Sequence, residues 1–207
     1  MRIKICGLFR EQDIEYVNEA RPDYIGFVFT ESKRQVSPAQ AESLRSRLMD
    51  GIVPIGVFVN APVAEIAVLY RNGVISIAQL HGSENEEYIA QLKELCNIPV
   101  IKAIVIDQQN PAIGRSLFPT PQDYYLIDSG AGSGKPFNWE LLKQQKITKP
   151  WFLAGGINLD NIEQAMELNP FAIDISSGAE TGGIKDREKI LQLTAAVKNY
   201  AGKEGNT

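Results

Sequence analysis

The sequence predicts an α/β protein folded as a single-domain (β/α)8 TIM barrel, and three features of the chain support this prediction. Short runs rich in Val, Ile and aromatic residues recur eight times, each followed by a segment with helical periodicity. The strand–helix pairs repeat every ~25 residues, which is short for this architecture but sufficient without insertions. No internal stretch rich in Pro, Gly or Ser divides the chain, so we expect one domain.

The alternation of strands and helices also predicts how the strands pair. Each helix carries the chain back across the sheet, so successive strands run parallel. An open doubly wound sheet usually has about five to seven strands, so eight units favour a closed barrel. In such a barrel the reactive residues lie at the carboxyl ends of the strands and in the loops that follow them.

The predicted elements follow one another in a regular order. The first four strand–helix pairs are RIKIC with EQDIEYVNEA, YIGFVF with SPAQAESLRSRLM, IVPIGVFV with PVAEIAVLYRN, and VISIAQL with ENEEYIAQLKEL. The last four are PVIKAIVI with NPAIGRSLF, DYYLID with FNWELLKQQ, WFLAG with NLDNIEQAMEL, and FAIDIS with REKILQLTAAVKNY. Ser37 as N-cap and Pro38 at the first helical position mark the start of the second helix. We predict a barrel domain over 1–200 and a disordered tail over 201–207, where apolar periodicity ends.

Composition excludes several classes of function. A net charge of -4 and no cluster of Lys and Arg argue against nucleic-acid binding. No run approaches the ~18 apolar residues of a membrane span, and the first strand, starting at Arg2, leaves no room for a signal peptide. We therefore expect a cytoplasmic protein. Two cysteines and one histidine are too few for a Cys/His zinc site, so no metal is expected, and a disulfide is not expected in that compartment.

Two loops near the end of the chain predict a phosphate site. Gly155 and Gly156 lie between the seventh strand and its helix, and Ser176, Ser177 and Gly178 follow the eighth strand. Small residues let the backbone approach a ligand, and free N–H groups at a helix start suit an anion. Tight turns alone would also explain either loop, but both together indicate a phosphorylated substrate.

A third glycine-rich stretch, DSGAGSGK at 128–135, does not fit a nucleotide-binding motif. A P-loop needs Gly at 129, where Ser stands, and Ser or Thr at 136, where Pro stands. The dinucleotide pattern would need Gly at 135, where Lys stands. We interpret this stretch as a mobile loop able to fold over a bound substrate.

Several side chains are candidates for acid and base chemistry. Asp128 and Asp174 end the sixth and eighth strands, where like charge and burial favour retention of a proton and so a general acid; each alone could instead cap a loop. Lys4 and Cys6 lie two apart on one strand and face the same side, where the lysine charge favours a thiolate. A free cysteine is otherwise commonly a buried apolar residue, and Cys96 keeps that interpretation.

Arg34 and His81 are candidates for contact with substrate. The planar fork of Arg34, in the loop after the second strand, could clamp a carboxylate, although a loop arginine is usually solvated. His81 follows the fourth strand and faces the same way as Gln79. A structural hydrogen bond explains His81 at least as well as catalysis does.

The motifs taken together resemble those of the phosphoribosylanthranilate isomerase family of tryptophan biosynthesis. They are, in order, KICG, GFVF with SKR.VS, VFVN, QLHG, LIDS with GSGKPFNW, LAGGI, and DISSGAE..GGIKD. The resemblance covers essentially the whole chain. Small departures are Gln35 in place of a common aromatic residue, DISSGAE in place of DVSSGVE, and GLFR in place of GLT.

The resemblance implies an enzyme, an aldose–ketose isomerase that needs no metal or organic cofactor. It implies the Amadori rearrangement of N-(5-phosphoribosyl)anthranilate to 1-(2-carboxyphenylamino)-1-deoxyribulose 5-phosphate, with Cys6 as general base and Asp128 as general acid. Arg34 would hold the anthranilate carboxylate, Asp174 would neighbour the ribose hydroxyls, and the backbone of Gly155, Gly156, Ser177 and Gly178 would hold the phosphate. We expect a monomer or homodimer whose ligand is a small phosphorylated molecule.

Three alternatives remain at the level of sequence. Indole-3-glycerol-phosphate synthase usually depends on a set of lysine and glutamate residues, and a histidine-pathway isomerase on paired aspartates with half-barrel repeats. We find no half-repeat, and the first strand ends in cysteine. The third alternative is a catalytically silent barrel that binds a sugar phosphate, which would have no use for the pair Cys6 and Asp128.

Overall fold

The predicted barrel is present in the computed structural model, which describes residues 1–105, 121–128, 142, 147 and 149–200. Eight parallel strands, β1 to β8, pair in sequence order and close on themselves between β8 and β1. They are Arg2–Cys6, Tyr24–Val28, Val53–Phe58, Ile77–Leu80, Val100–Val105, Tyr124–Asp128, Trp151–Ala154 and Ala172–Ile175. The fold class is therefore confirmed.

Helices follow six of these strands within the described residues. They are Glu11–Ala20, Pro38–Ser46, Val63–Arg71, Glu86–Cys96, Ile162–Glu167 and Arg187–Lys198. None of the helices in the described part of the chain has the length and apolarity needed to cross a membrane. The helix predicted in NPAIGRSLF, most of that in FNWELLKQQ, the glycine-rich loop from 129 onward and the tail 201–207 lie outside the described residues.

Side-chain hydrogen bonds shorten two of the predicted helices. Ser37 caps the second helix as predicted, its Oγ accepting from the N–H of Gln40 at 3.2 Å. The helix ends at Ser46 because Asn18 bonds the carbonyl of Arg47 and the N–H of Met49. The seventh helix starts late for a similar reason.

In the stretch before Ile162, asparagine side chains accept hydrogen bonds from backbone N–H groups of the same stretch. The N–H of Asp160 donates to Asn158 Oδ1, and that of Asn158 donates to Asn161 Oδ1, each at 2.8 Å. Such local bonds favour a turn over a helical start.

The alternation of side chains along β1 separates the core from the cavity. Ile3 and Ile5 point outward and are fully buried in the shell between sheet and helices. Lys4 and Cys6 share the other face, as predicted, and that face is the barrel interior. An apolar layer fills the barrel interior, formed by Tyr24, Ile55, Ile77, Ile101, Ala103, Leu126, Phe152, Ala154 and Ala172.

A short antiparallel hairpin after β8 was not predicted from the sequence. Its strands are Glu180–Thr181 and Ile184–Lys185, and it follows a 3₁₀ turn at Ser177–Ala179. Gly182 and Gly183 form the connection with φ of 60° and 83°, the positive values that a two-residue hairpin turn of type I′ requires. The hairpin places Glu180 and Lys185 beside the carboxyl ends of β1, β2 and β8.

Candidate active site

A cavity of about 480 Å³ opens at the carboxyl ends of the strands. Its lining consists of Cys6, Arg34, Val57, Gln79, His81, Asp128, Ala154, Gly155, Gly156, Ile157, Asp174, Ser176 and Ser177. The structure thus brings together every residue predicted for the site except Gly178. Their chemical roles stay predictions.

Glycines on neighbouring elements make room for the Cys6 thiol and for Arg34. Cys6 is 8% exposed, and a Cβ on Gly26 of β2 would lie 2.6 Å from its Sγ. A Cβ on Gly7 would lie 2.5 Å from Cδ of Arg34, and Gly7 has φ of 81°. The sequence KICG therefore places a thiol at the cavity and leaves space beside it.

The protonation of Cys6 differs from the sequence expectation. Burial raises the pKa of the Cys6 thiol, and the Lys4 ammonium lowers that pKa without cancelling the rise. The lysine acts in the predicted direction, but desolvation outweighs it because the thiol lies inside the barrel. The substrate-free site therefore favours the thiol over the thiolate at neutral pH.

A chain of polar side chains crosses the cavity from β8 to β6. Lys4 Nζ donates to Asp174 Oδ2 at 2.8 Å and to Gln79 Oε1 at 2.7 Å. Gln79 Nε2 lies 3.1 Å from His81 Nδ1, and His81 Nε2 lies 3.5 Å from Asp128 Oδ2. His81 thus has the structural hydrogen bond that the sequence left open, and it also faces the predicted acid.

Lys4 is a charged residue without exposed surface. Burial lowers the pKa of Lys4, but the carboxylate of Asp174 and the neighbouring Cys6 together raise it by more, so the net pKa is raised. Lys4 therefore stays an ammonium throughout the physiological range. Sequence reasoning named Lys4 only as a neighbour of the thiol and did not assign Gln79 to the site.

Asp174 has one carboxylate oxygen that is still available as an acceptor. Its Oδ2 binds Lys4, whereas no donor among the described residues reaches the buried Oδ1. A buried acceptor without a partner is costly, and a hydroxyl of a bound ligand would satisfy it. This supports the prediction that Asp174 neighbours the ribose hydroxyls.

Arg34 is held by a carboxylate that sequence reasoning missed. Its Nε and Nη2 donate to the two oxygens of Glu180 at 2.6 and 2.7 Å. Lys185 Nζ donates to the same carboxylate at 2.6 Å and to the carbonyl of Ser176 at 3.0 Å. Only the remaining N–H groups of Arg34 are left for a substrate carboxylate.

This cluster, Arg34–Glu180–Lys185, has strongly perturbed ionisation. Burial raises the pKa of Glu180, but hydrogen bonds from Arg34 and Lys185 lower it more, to about 2. Burial lowers the pKa of Lys185 despite its pairing with Glu180. The ETGGIK sequence, with two glycines between strand-like residues, is the signal that could have identified the hairpin carrying both residues.

The two predicted phosphate loops meet at the cavity, next to the hairpin that carries Glu180 and Lys185. Gly155 and Gly156 have φ of 99° and 66°, values that favour glycine. Gly178 packs against the β7 loop, since a Cβ there would lie 1.9 Å from the carbonyl oxygen of Ile157. The structure therefore gives Gly178 a part in the close approach of the loops, while Ser176 and Ser177 line the cavity.

The described part of the chain contains no candidate metal centre. Within it, no group of three or more His, Cys, Asp and Glu side chains has a geometry that could hold a metal ion.

The chain matches one protein family over nearly its whole length. Residues 3–196 match the family model described as "N-(5'phosphoribosyl)anthranilate (PRA) isomerase". The chain is 44% identical over 211 residues to N-(5'-phosphoribosyl)anthranilate isomerase of Clostridium acetobutylicum, with 97% of this chain and 99% of the relative covered.

Two solved structures agree with the sequence comparison. One is a phosphoribosyl anthranilate isomerase in complex with reduced 1-(o-carboxyphenylamino)-1-deoxyribulose 5-phosphate, with TM-score 0.83, 31% identity and coverage of 97% of this chain and 100% of the other. Another shows monomers of the dimeric isomerase from Thermotoga maritima, with TM-score 0.81, 32% identity and the same coverage. These likenesses extend over nearly the whole chain.

Proposed function

This chain belongs to the N-(5'-phosphoribosyl)anthranilate isomerase family, and we propose that it catalyses the Amadori rearrangement of N-(5-phosphoribosyl)anthranilate to 1-(2-carboxyphenylamino)-1-deoxyribulose 5-phosphate. This reaction is the third step from chorismate in tryptophan biosynthesis. The observation that supports it best is that Cys6 and Asp128, from β1 and β6, line one cavity together with both phosphate loops. The site therefore offers an acid, a base and an anion site around one small ligand.

Asp128 acts first, as the general acid. Its carboxyl proton goes to the furanose ring oxygen while the bond between that oxygen and C1' breaks. The lone pair of the anthranilate nitrogen forms the C=N bond, which gives a protonated Schiff base. Asp128 is left as a carboxylate within reach of His81.

Cys6 acts second, as the general base. The protonated Schiff base makes the C2' proton acidic, and the Cys6 thiolate removes it. The electron pair of that C–H bond forms the C1'–C2' double bond of an enolamine, which tautomerises to the ketone. Atoms and electrons balance within the substrate, since one proton is supplied and one is removed.

The remaining polar groups bind and orient the substrate. Backbone groups of Gly155, Gly156 and Ser177 hold the 5'-phosphate, and Gly178 lets their two loops approach. The N–H groups of Arg34 not bonded to Glu180 bind the anthranilate carboxylate. Asp174 Oδ1 accepts a bond from a ribose hydroxyl.

The broader biological setting is part of the same proposal. We place the enzyme in the cytoplasm, as one domain over 1–200, without a nucleic-acid or membrane partner. A monomer or a homodimer is compatible with the sequence, and the relative from Thermotoga maritima described as dimeric supports the second state.

The decisive experiment mixes the purified protein with freshly prepared phosphoribosylanthranilate and follows anthranilate fluorescence. We expect loss of fluorescence well above the uncatalysed background. A rate equal to the background, with binding of the substrate retained, would instead favour the silent sugar-phosphate-binding barrel.

Variants of the two cysteines and of Asp128 test the assigned roles. We expect Cys6→Ser and Asp128→Asn each to lower kcat by about 10²–10⁴-fold, the usual contribution of a general acid or base. Cys96→Ser is the matched control, because within the described part of the chain the half-buried Cys96 thiol donates only to the carbonyl of Leu92 in its own helix. A Cys6→Ser enzyme with the kcat of Cys96→Ser would show that the thiol at β1 only packs.

A further inference from the structure

We propose that Gln79 is a positioning residue that holds His81 as a neutral imidazole protonated on Nε2, so that an uncharged N–H faces the carboxyl of Asp128. The inference rests on the proposed function, since it concerns how Asp128 is kept protonated as the general acid of that reaction. Gln79 lies on β4, is 2% exposed, and stands between Lys4 and His81.

The orientation of the Gln79 amide is set by Lys4. An ammonium group has three donors and no acceptor, so the atom of Gln79 at 2.7 Å from Lys4 Nζ must be the oxygen. Lys4 cannot turn away, because it is fully buried and also donates to Asp174 at 2.8 Å. A flip of the amide would place NH₂ against NH₃⁺ inside the barrel.

The fixed amide decides which nitrogen of His81 carries the proton. Gln79 Nε2 has two N–H donors and no acceptor, and it lies 3.1 Å from His81 Nδ1. Nδ1 must therefore be the lone-pair acceptor, and the proton of the neutral ring sits on Nε2. A proton on Nδ1 would set two donors against each other, so that form of the ring would lose its hydrogen bond from Gln79.

Other charged groups near the His81 ring also influence its protonation. Lys4 lies behind Gln79, and the other such groups among the described residues, which share the cavity or flank the β4 loop, are Cys6, Arg34, Glu84, Lys102, Asp128 and Asp174. Lys102 of β5 donates to the carbonyls of Leu80 and Gly82 on either side of His81 and to Glu84. Of this set only Asp128 contacts the imidazole itself, at 3.5 Å, and an ionised Asp128 favours the imidazolium that Gln79 opposes.

The neutral ring suits the chemistry of the first step. Asp128 must hold a proton before it can act, and an imidazolium beside it would keep it as a carboxylate by ion pairing. A neutral N–H of His81 stabilises the Asp128 carboxylate less, so Asp128 keeps its proton more readily. The same N–H can still donate to the carboxylate that forms when the proton leaves. The 3.5 Å separation is long for a hydrogen bond, as is common before substrate binds.

The test uses the fact that His81 is the single histidine of the chain. In protein labelled with ¹⁵N at histidine, the NMR spectrum of the full chain reports one imidazole, and its two nitrogens distinguish the tautomers directly. For the wild type we expect Nδ1 to be unprotonated and Nε2 to be protonated over the pH range of activity. A spectrum with the proton on Nδ1, or with an imidazolium at the pH of maximum activity, overturns the proposal.

Gln79→Glu is the informative variant, because a carboxylate can still accept from Lys4 while its second oxygen accepts a proton from Nδ1. We expect an imidazolium at neutral pH and a kcat lower by about 10–100-fold, which is part of what a general acid supplies, with little change in KM. The loss should shrink as pH rises and the ring of this variant becomes neutral in the same titration. An imidazolium that leaves kcat unchanged contradicts the proposal.

Two further variants separate positioning from folding. Gln164→Glu, at an exposed position of the Ile162–Glu167 helix, is the matched control and should change neither the spectrum nor kcat. Gln79→Met removes both amide contacts at similar volume, so we expect a mixture of tautomers and a lower kcat; an unchanged wild-type spectrum in this variant overturns the proposal. A wild type without isomerase activity would overturn the proposed function instead, and the spectrum distinguishes the two failures because it needs no turnover.

Discussion

Replacing Glu180 by Gln removes the only carboxylate that, among the described residues, bonds both Arg34 and Lys185. The neutral amide keeps the shape of the side chain and can still accept one hydrogen bond. It cannot accept the paired bonds from Arg34 at 2.6 and 2.7 Å together with the bond from Lys185 at 2.6 Å. We expect the variant to fold with a lower free energy of unfolding.

The size of the loss follows from the ionisation of Glu180. Its pKa is about 2 in the folded protein against an ordinary 4.5, and at about 1.36 kcal/mol per pKa unit this corresponds to roughly 3 kcal/mol at most. Solvent on the cavity side screens part of that interaction, so we expect about 2 kcal/mol. The lowered pKa of Lys185 agrees with this, since burial already makes its charge costly and the neutral amide of the variant would offset less of that cost than the carboxylate does.

The loss of stability in Glu180→Gln should become smaller as pH falls. A carboxylate whose pKa is lowered by folding stabilises the protein at pH values above its unfolded pKa, here near 4.5. That contribution disappears as pH falls from there toward about 2. The difference in stability between wild type and Glu180→Gln should therefore be largest near neutral pH and should shrink in acid.

The measurement is urea unfolding followed by circular dichroism at about pH 7 and at about pH 3. Glu42→Gln is the control, because Glu42 is an exposed carboxylate in the Pro38–Ser46 helix. Equal stability of the two variants at neutral pH, or a difference that stays constant into acid, would refute the reasoning. We also expect a higher KM with little change in kcat, since the proposed contact of Arg34 is with a carboxylate of the substrate that does not react.

Three other changes test the close approaches and the thiol. Gly26→Ala places a Cβ 2.6 Å from Cys6 Sγ, and the displaced thiol should cost roughly 10²-fold in kcat; wild-type kcat would show that the thiol needs no fixed position. Gly178→Ala places a Cβ 1.9 Å from the carbonyl oxygen of Ile157. Calorimetry should show a free energy of unfolding lower by about 1–3 kcal/mol, and kinetics should show a higher KM. An unchanged stability and KM would mean that the two loops lie farther apart. Because burial raises the pKa of Cys6, kcat/KM should climb with pH above neutrality as the free enzyme gains thiolate; a flat profile from about pH 7 to 9 would argue against this base.

Local patterns were sufficient to predict the barrel and most of its lining. Alternation along β1 predicts that Lys4 and Cys6 share one face, because the period of a strand is two residues. The position of Asp128 at the end of a strand predicts that it lies at the same rim as Cys6. Both statements depend only on the chain near each residue and on the closure of eight units.

Contacts between distant residues could not be predicted in the same way. Gln79 meets Lys4 across 75 residues, and Glu180 meets Arg34 across 146. Each contact depends on the register between strands, which side-chain periodicity does not give, and on side-chain conformation. The net protonation of Cys6 was missed for a related reason, since burial depends on how the whole barrel packs around the thiol.

The charges around the cavity suggest why one acid and one base can work there together. Among the described residues, three cationic side chains, Lys4, Arg34 and Lys185, are paired with two carboxylates, Asp174 and Glu180. The excess of one positive charge favours one further anion, and within the protein the two predicted reacting groups that could become that anion are Cys6 and Asp128. When Cys6 is the anion, Asp128 keeps its proton, and the site has the acid and the base that the proposed reaction needs. When Asp128 is the anion, the site has neither. Lys4 favours the first arrangement by lowering the pKa of Cys6, although burial raises that pKa by more, and the proposed neutral His81 would favour it by withholding a second positive charge from Asp128.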